Sequence, residues 1–94
     1  MAVMMIMSWK GVSLEQYEAT KAVVKWEENP AEGGILHVTA HDGDGLRITD
    51  VWESPEAFQA FVNDRLMPGV QEVGLPGQPE VEVYPVHDLF APGV

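Results

Sequence analysis

The run VMMIMSW, Val3 to Trp9, is apolar on both of its faces, and no other feature constrains the fold of this chain as much. In an extended strand alternate side chains point to opposite sides, so Val3, Met5, Met7 and Trp9 face one way and Met4 and Ile6 the other. The run is short, carries β-branched and aromatic residues, and is closed by Lys10-Gly11, which fits a strand better than a helix. A strand greasy on both sides belongs in the middle of a sheet that is covered above and below.

Two helix starts follow strand patterns. At Ser13 the hydroxyl can accept an early backbone N–H, Gln16 can answer three residues on, and Val12 can staple onto Tyr17. Ala19, Ala22, Val23 and Trp26 then form a stripe at helical spacing, with Glu18, Lys21 and Lys25 on a solvated arc. Asn29-Pro30 and Gly33-Gly34 end the element and return the chain. Ser54-Pro55-Glu56 is the second start: a capping serine, a proline where its missing N–H costs nothing, and an acid near the positive end of the helix dipole. Phe58, Phe61, Val62 and Leu66 make its buried stripe, Pro68-Gly69 stops it, and Val70 to Val73 adds at most a turn.

Between these helices, Ile35–His41 and Leu46–Glu53 flank DGDG (Asp42–Gly45), whose glycines supply the positive φ of a tight hairpin. If His41 pairs with Leu46, Thr39 lies opposite Ile48, His37 opposite Asp50 and Ile35 opposite Trp52. After the rigid LPGQP connection (Leu75–Pro79), Val81 to Val86 alternates as a last strand, and residues 87–94 form a tail.

Strand, helix, strand, strand, helix, strand is the ferredoxin-like βαββαβ order of an α+β protein, a four-stranded antiparallel sheet with both helices on one face. A chain of 94 residues supports one core, so residues 1–94 form a single domain. The second sheet face has no cover of its own, and an apolar patch of that size is not left in water. A second copy covers it, giving a homodimeric α+β barrel; the alternative is a monomer roofed by Leu75–Val94.

Composition narrows the partners. The net charge of −10 repels phosphate backbones, which excludes nucleic acid and anionic membranes as natural partners. No apolar run reaches the roughly 20 residues of a membrane span, and the apolar start lacks the basic residues of a secretory signal, so the expected location is cytoplasmic. Without cysteine there is no disulfide framework, thiolate metal site or thiol nucleophile.

The chemistry therefore falls to histidine and carboxylates. His37 and His41 share a strand face but stand about 13 Å apart, too far to hold one metal. His41, beside the turn, reads as an exposed loop-edge residue. DGDG places Asp42 and Asp44 like calcium ligands, but Arg47 stands where that loop needs glycine. No metal is expected. His37 opposite Asp50 is the stronger pair, because a carboxylate can fix an imidazole's tautomer and make it a general base or proton shuttle; a satisfied polar pair inside a dimer cavity is the other reading. Met4, Met5 and Met7 suit a soft binding wall or a packed core. His87, after the last strand, either caps a cavity, reaches a partner, or rides a flexible tail.

DVWES (Asp50–Ser54) followed by PEAFQAF (Pro55–Phe61), with RLMP (Arg65–Pro68) downstream, resembles the dimeric α/β-barrel superfamily that includes the antibiotic biosynthesis monooxygenase-like proteins. The likeness is greatest to small uncharacterised actinobacterial members that close on a PVHDLF-like stretch (Pro85–Phe90). It implies that Trp52 lines a cavity between sheet and helices; a plain core tryptophan is the alternative. Haem-degrading relatives carry a histidine ligand on the second helix, where this chain reads FVNDRL (Phe61–Leu66), so haem is disfavoured. Cofactor-free monooxygenase relatives carry an asparagine four residues before the tryptophan, where this chain has Ile48. The expectation is a cofactor-independent monooxygenase-like enzyme for a small aromatic or hydrophobic substrate: the resemblance implies the class of activity and Trp52 at the ligand, while cross-strand pairing supplies His37 and Asp50 as the acid–base pair and strand position adds Ile48, Met7 and His87 at the ligand. A non-catalytic ligand-binding or structural dimer is the rival.

Overall fold

The computed structural model describes residues 1–94. Its elements are β1 (Val3–Lys10), α1 (Leu14–Val24), β2 (Gly34–His41), β3 (Gly45–Trp52), α2 (Pro55–Phe61), a π turn (Val62–Leu66), α3 (Met67–Val73) and β4 (Glu80–Pro85). The four strands form one antiparallel sheet in the order β2-β3-β1-β4. This is the ferredoxin-like α+β fold, with β1 at the centre as its two-sided apolarity requires.

The inward side chains of β1, Val3, Met5, Met7 and Trp9, are buried, while Met4 and Ile6 on the other face are half-buried. Met5, Met7 and Trp9 join Val12, Leu46, Ile48 and Val70 in the main core, against which Tyr17, Phe58 and Leu66 of the helical segments pack. Both helical layers therefore lie on one face. On the other, Leu36 is half-buried and Val38 and Tyr84 are exposed. Residues 87–94 are exposed throughout; Phe90 in particular is 83% exposed, so this tail does not form a packed roof.

Several local expectations change. The capping box at Ser13 is complete, with Ser13 Oγ accepting from Gln16 N and Gln16 Oε1 accepting from Ser13 N. The inward stripe of α1, however, is half-buried Tyr17 with buried Thr20 and Val24, and Ala19, Ala22 and Val23 are exposed. Thr20 tolerates burial because its hydroxyl donates to Gln16 O, which removes the cost that hydropathy assigns to it. Pro68-Gly69 does not stop the second helix. The π turn before it makes the wide bond from Met67 N to Val62 O, so Pro68 falls in the first turn of a renewed helix, where no N–H is needed. Gly69 admits α1 closely, since a Cβ there would lie 2.4 Å from Val24 Cγ2.

The hairpin register holds from His41↔Leu46 through Thr39↔Ile48 to His37↔Asp50. Beyond Leu36 a bulge intervenes: Gly34, not Ile35, pairs with Trp52, and Ile35 is 47% exposed. In the turn, Gly43 has φ 98°, but Gly45 does not have a positive φ. Its missing side chain serves packing, as a Cβ would lie 2.1 Å from Trp9 O. Asp42 caps the turn by accepting from Asp44 N and Gly45 N on Oδ1 and from Arg47 Nε on Oδ2.

Those bonds, led by Arg47, hold the Asp42 carboxyl below its ordinary 3.8, at about 2. A depressed folded-state value means that the ionised carboxylate stabilises the fold above pH ~4 and ceases to do so as pH falls towards ~2. In Asp42→Asn the amide oxygen still serves the turn N–H groups but the charge is gone. The melting-temperature gap between wild type and this variant should therefore be widest near neutral pH and close across that acid window.

Candidate functional site

The hairpin register places His37 and Asp50 side by side on the helix face of the sheet. His37 Nδ1 stands 2.6 Å from Asp50 Oδ1, and Trp52 Nε1 donates to Asp50 Oδ2 at 3.1 Å. Indole is only a donor, and the tautomer that carries the proton on Nδ1 lets His37 donate to the other Asp50 oxygen, so both oxygens of the carboxyl group accept a bond. His37 Nε2 is then the acceptor. Tyr17 OH lies 2.8 Å from it, and Thr39 Oγ1 lies 2.9 Å from Nε2 while donating to Tyr17 OH at 2.9 Å.

Tyr17, His37, Asp50 and Trp52 open onto an apolar cavity of about 220 Å³, larger than the roughly 150 Å³ that accommodates one benzene. Met5, Met7, Leu46 and Ile48 floor it from the sheet, Phe58, Phe61 and Leu66 wall it from α2 and the π turn, and Trp26, Pro30 and Ile35 stand at its rim. Polar groups are few and gathered at one end, the arrangement that orients a small ligand. Trp26 sits edge-on to His37 with ring centroids 5.6 Å apart. Burial raises the Tyr17 phenol above its ordinary 10.0, so it stays protonated through the neutral range.

Of the residues singled out from sequence, His37, Asp50, Trp52, Ile48 and Met7 all line this cavity. Trp52 is both wall and core: it is 5% exposed and packs on Phe58 and Phe61 at centroid distances of 5.7 and 5.4 Å. His87 does not line the cavity; it lies exposed in the tail that begins after β4. His41 is tied down despite its exposure, with Nε2 on Val12 O and Nδ1 accepting from Gly43 N. Tyr17 and Trp26 are cavity-lining residues that the sequence did not single out for the site. The signal for Tyr17 was its place on α1, one turn before Thr20 and two before Val24, which a Thr-tolerant helical pattern would have turned towards the sheet.

No protein-family model and no curated protein sequence matches the chain. Solved structures do. The fold is shared with solved antibiotic biosynthesis monooxygenase-like structures. A point variant of SnoaB, a cofactor-independent oxygenase from Streptomyces nogalater, is similar at 11% identity over 94% of each chain, with a TM-score of 0.66. A monooxygenase from the ActVA-Orf6 gene of Streptomyces coelicolor, solved with nanaomycin D, is similar at 17% identity over 98% of this chain and 92% of its own, with a TM-score of 0.63. Rv0793 from Mycobacterium tuberculosis is similar at 16% identity over 97% of this chain and all of its own, with a TM-score of 0.67. Identities this low establish the shared fold and leave chemistry to the site itself.

Proposed function

We propose that the protein binds a small, flat, mainly apolar molecule in this cavity and acts on it as a cofactor-independent monooxygenase-like enzyme. The observation that carries the reading is an imidazole held at 2.6 Å by a buried carboxylate at the polar end of an otherwise apolar cavity. Asp50 orients His37 and balances its charge when it takes a proton; Trp52 fixes Asp50 and walls the site. Removing a proton from a phenol or enol gives an oxyanion whose charge is delocalised onto carbon, and that electron-rich carbon can itself reduce oxygen, so the protein supplies a base and a dry pocket. The named activity of SnoaB and the nanaomycin D bound by the Streptomyces coelicolor monooxygenase lend support.

The assembly belongs to the same proposal. Met4, Ile6, Leu36 and Val38 lie on the sheet face opposite the helices, and a second copy of the chain covers them in a homodimer. Light scattering at micromolar concentration should give twice the mass of one chain, and a single-chain particle would overturn this part.

A non-catalytic ligand carrier is the second reading, favoured by one observation: every buried polar side-chain atom already has a partner without a ligand. Oxygen uptake by the purified protein with polycyclic phenols, in the presence of a chelator, separates the two. Protein-dependent uptake supports the enzyme. Saturable binding without uptake supports the carrier, and neither binding nor uptake overturns both.

A further inference from the structure

We propose that Tyr17 is the residue that meets the ligand's acidic hydroxyl, passing its proton to His37, so that the imidazole acts through the phenol. This rests on the acid–base reading of the pocket and specifies which atom of it touches the ligand.

Hydrogen-bond capacity sets the roles of the three side chains. With Nδ1 committed to Asp50, neutral His37 has a single in-plane lone pair, on Nε2. Thr39 has one hydroxyl proton and gives it to Tyr17 OH. The proton on the 2.8 Å line between Tyr17 and Nε2 is therefore the phenol's. The two rings are nearly parallel, at 9°, with centroids 6.2 Å apart, a separation that suits an edge-on O–H···N bond better than face-to-face stacking. His37 thus has no lone pair free for a ligand.

The phenolic oxygen retains acceptor capacity, and Tyr17 lines the cavity whereas Thr39 does not. A ligand hydroxyl donating to that oxygen completes a chain of bonds from ligand to Tyr17 to His37 to Asp50. Transfer along it breaks the ligand O–H bond and forms a new O–H bond on Tyr17, while the original phenol proton moves to Nε2. The products are a ligand oxyanion, an unchanged neutral tyrosine and an imidazolium beside the Asp50 carboxylate, with atoms and charge balanced. The raised Tyr17 phenol fits a residue that relays a proton without resting as tyrosinate. A ligand lacking a hydroxyl or equivalent donor cannot start the chain.

4-Nitrophenol tests this, because its ionised form is yellow and its neutral form is not; its methyl ether, 4-nitroanisole, controls for apolar binding. Wild type should bind 4-nitrophenol with a raised ionised fraction. Tyr17→Phe keeps the ring that packs on Trp26 and the core, and it should lower the bound phenolate about tenfold while leaving 4-nitroanisole affinity within about twofold. Thr39→Val, which leaves the Tyr17–His37 bond in place, should keep most of the phenolate. Circular dichroism of each variant accompanies the titration. If Tyr17→Phe ionises the probe as wild type does while His37→Ala does not, the relay is wrong and the base assignment stands. If wild type itself fails to ionise the bound probe, the acid–base reading falls and the relay with it.

Discussion

His37→Ala is expected to lower kcat/KM for a polycyclic phenol by about 10²- to 10⁴-fold, the usual contribution of a positioned acid–base group. In the proposed mechanism the imidazole is the terminal proton acceptor at the polar end of the cavity, and no second histidine lines that cavity to replace it. The cost to folding should be small by comparison, since His37 sits at an exposed position of β2. Asp50→Asn should lower turnover nearly as far by another route. The amide cannot accept from both Trp52 and His37 with the charge of a carboxylate, so the imidazole loses both its fixed tautomer and its counter-charge. A stopped assay with unchanged binding of 4-nitroanisole would identify a chemical defect. Turnover unchanged in His37→Ala would remove the residue from the mechanism.

The other large effect lies away from the cavity. Gly45→Ala is expected to destabilise the fold by about 3 kcal/mol, a large share of the roughly 5–15 kcal/mol that holds a domain together. The added methyl would stand 2.1 Å from Trp9 O and 2.7 Å from Lys10 Cα, and both are backbone atoms of the central strand. Relief would require β1 and β3 to separate at Lys10↔Gly45, where Gly11 N also donates to Asp44 O at 2.8 Å. Gly43→Ala provides the contrast: it has φ 98° but open space around it, so it should cost only about 1 kcal/mol in backbone strain. Thermal unfolding should show a drop of roughly 10–20 °C for the first variant and a few degrees for the second. Equal drops would mean that turn geometry alone, not the close approach of the strands, sets the requirement for glycine.

How far these features were legible in the sequence depended on their range. Caps and turns are local, so Ser13 with Gln16, Ser54 with Pro55, and DGDG could be read directly. The two-faced apolarity of Val3 to Trp9 gave the position of β1, and the turn length fixed the pairing of His37 with Asp50. What failed depended on distant atoms. The bulge at Ile35 follows from how the returning chain meets Trp52, and the passage of the helix through Pro68 follows from a π turn that no residue type announces. Tyr17 was legible as a staple, but its bond to His37 needs α1 and β2 to come together in space. His87 was placed near the ligand from its position after the last strand, and within the chain it lies exposed in the tail, outside the residues that line the cavity.

The bulge has a bearing on traffic into the pocket. Pro30, Ala31, Gly34 and Ile35 edge the cavity just where β2 departs from regular pairing with β3, whereas the ladder from Leu36 onwards, which carries His37, is unbroken. A doorway hung on the irregular end of a strand breathes more readily than the frame beyond it. On the proposed function, guests would be admitted and released without unseating the base, and amide exchange should be faster at Ile35 than at Val38.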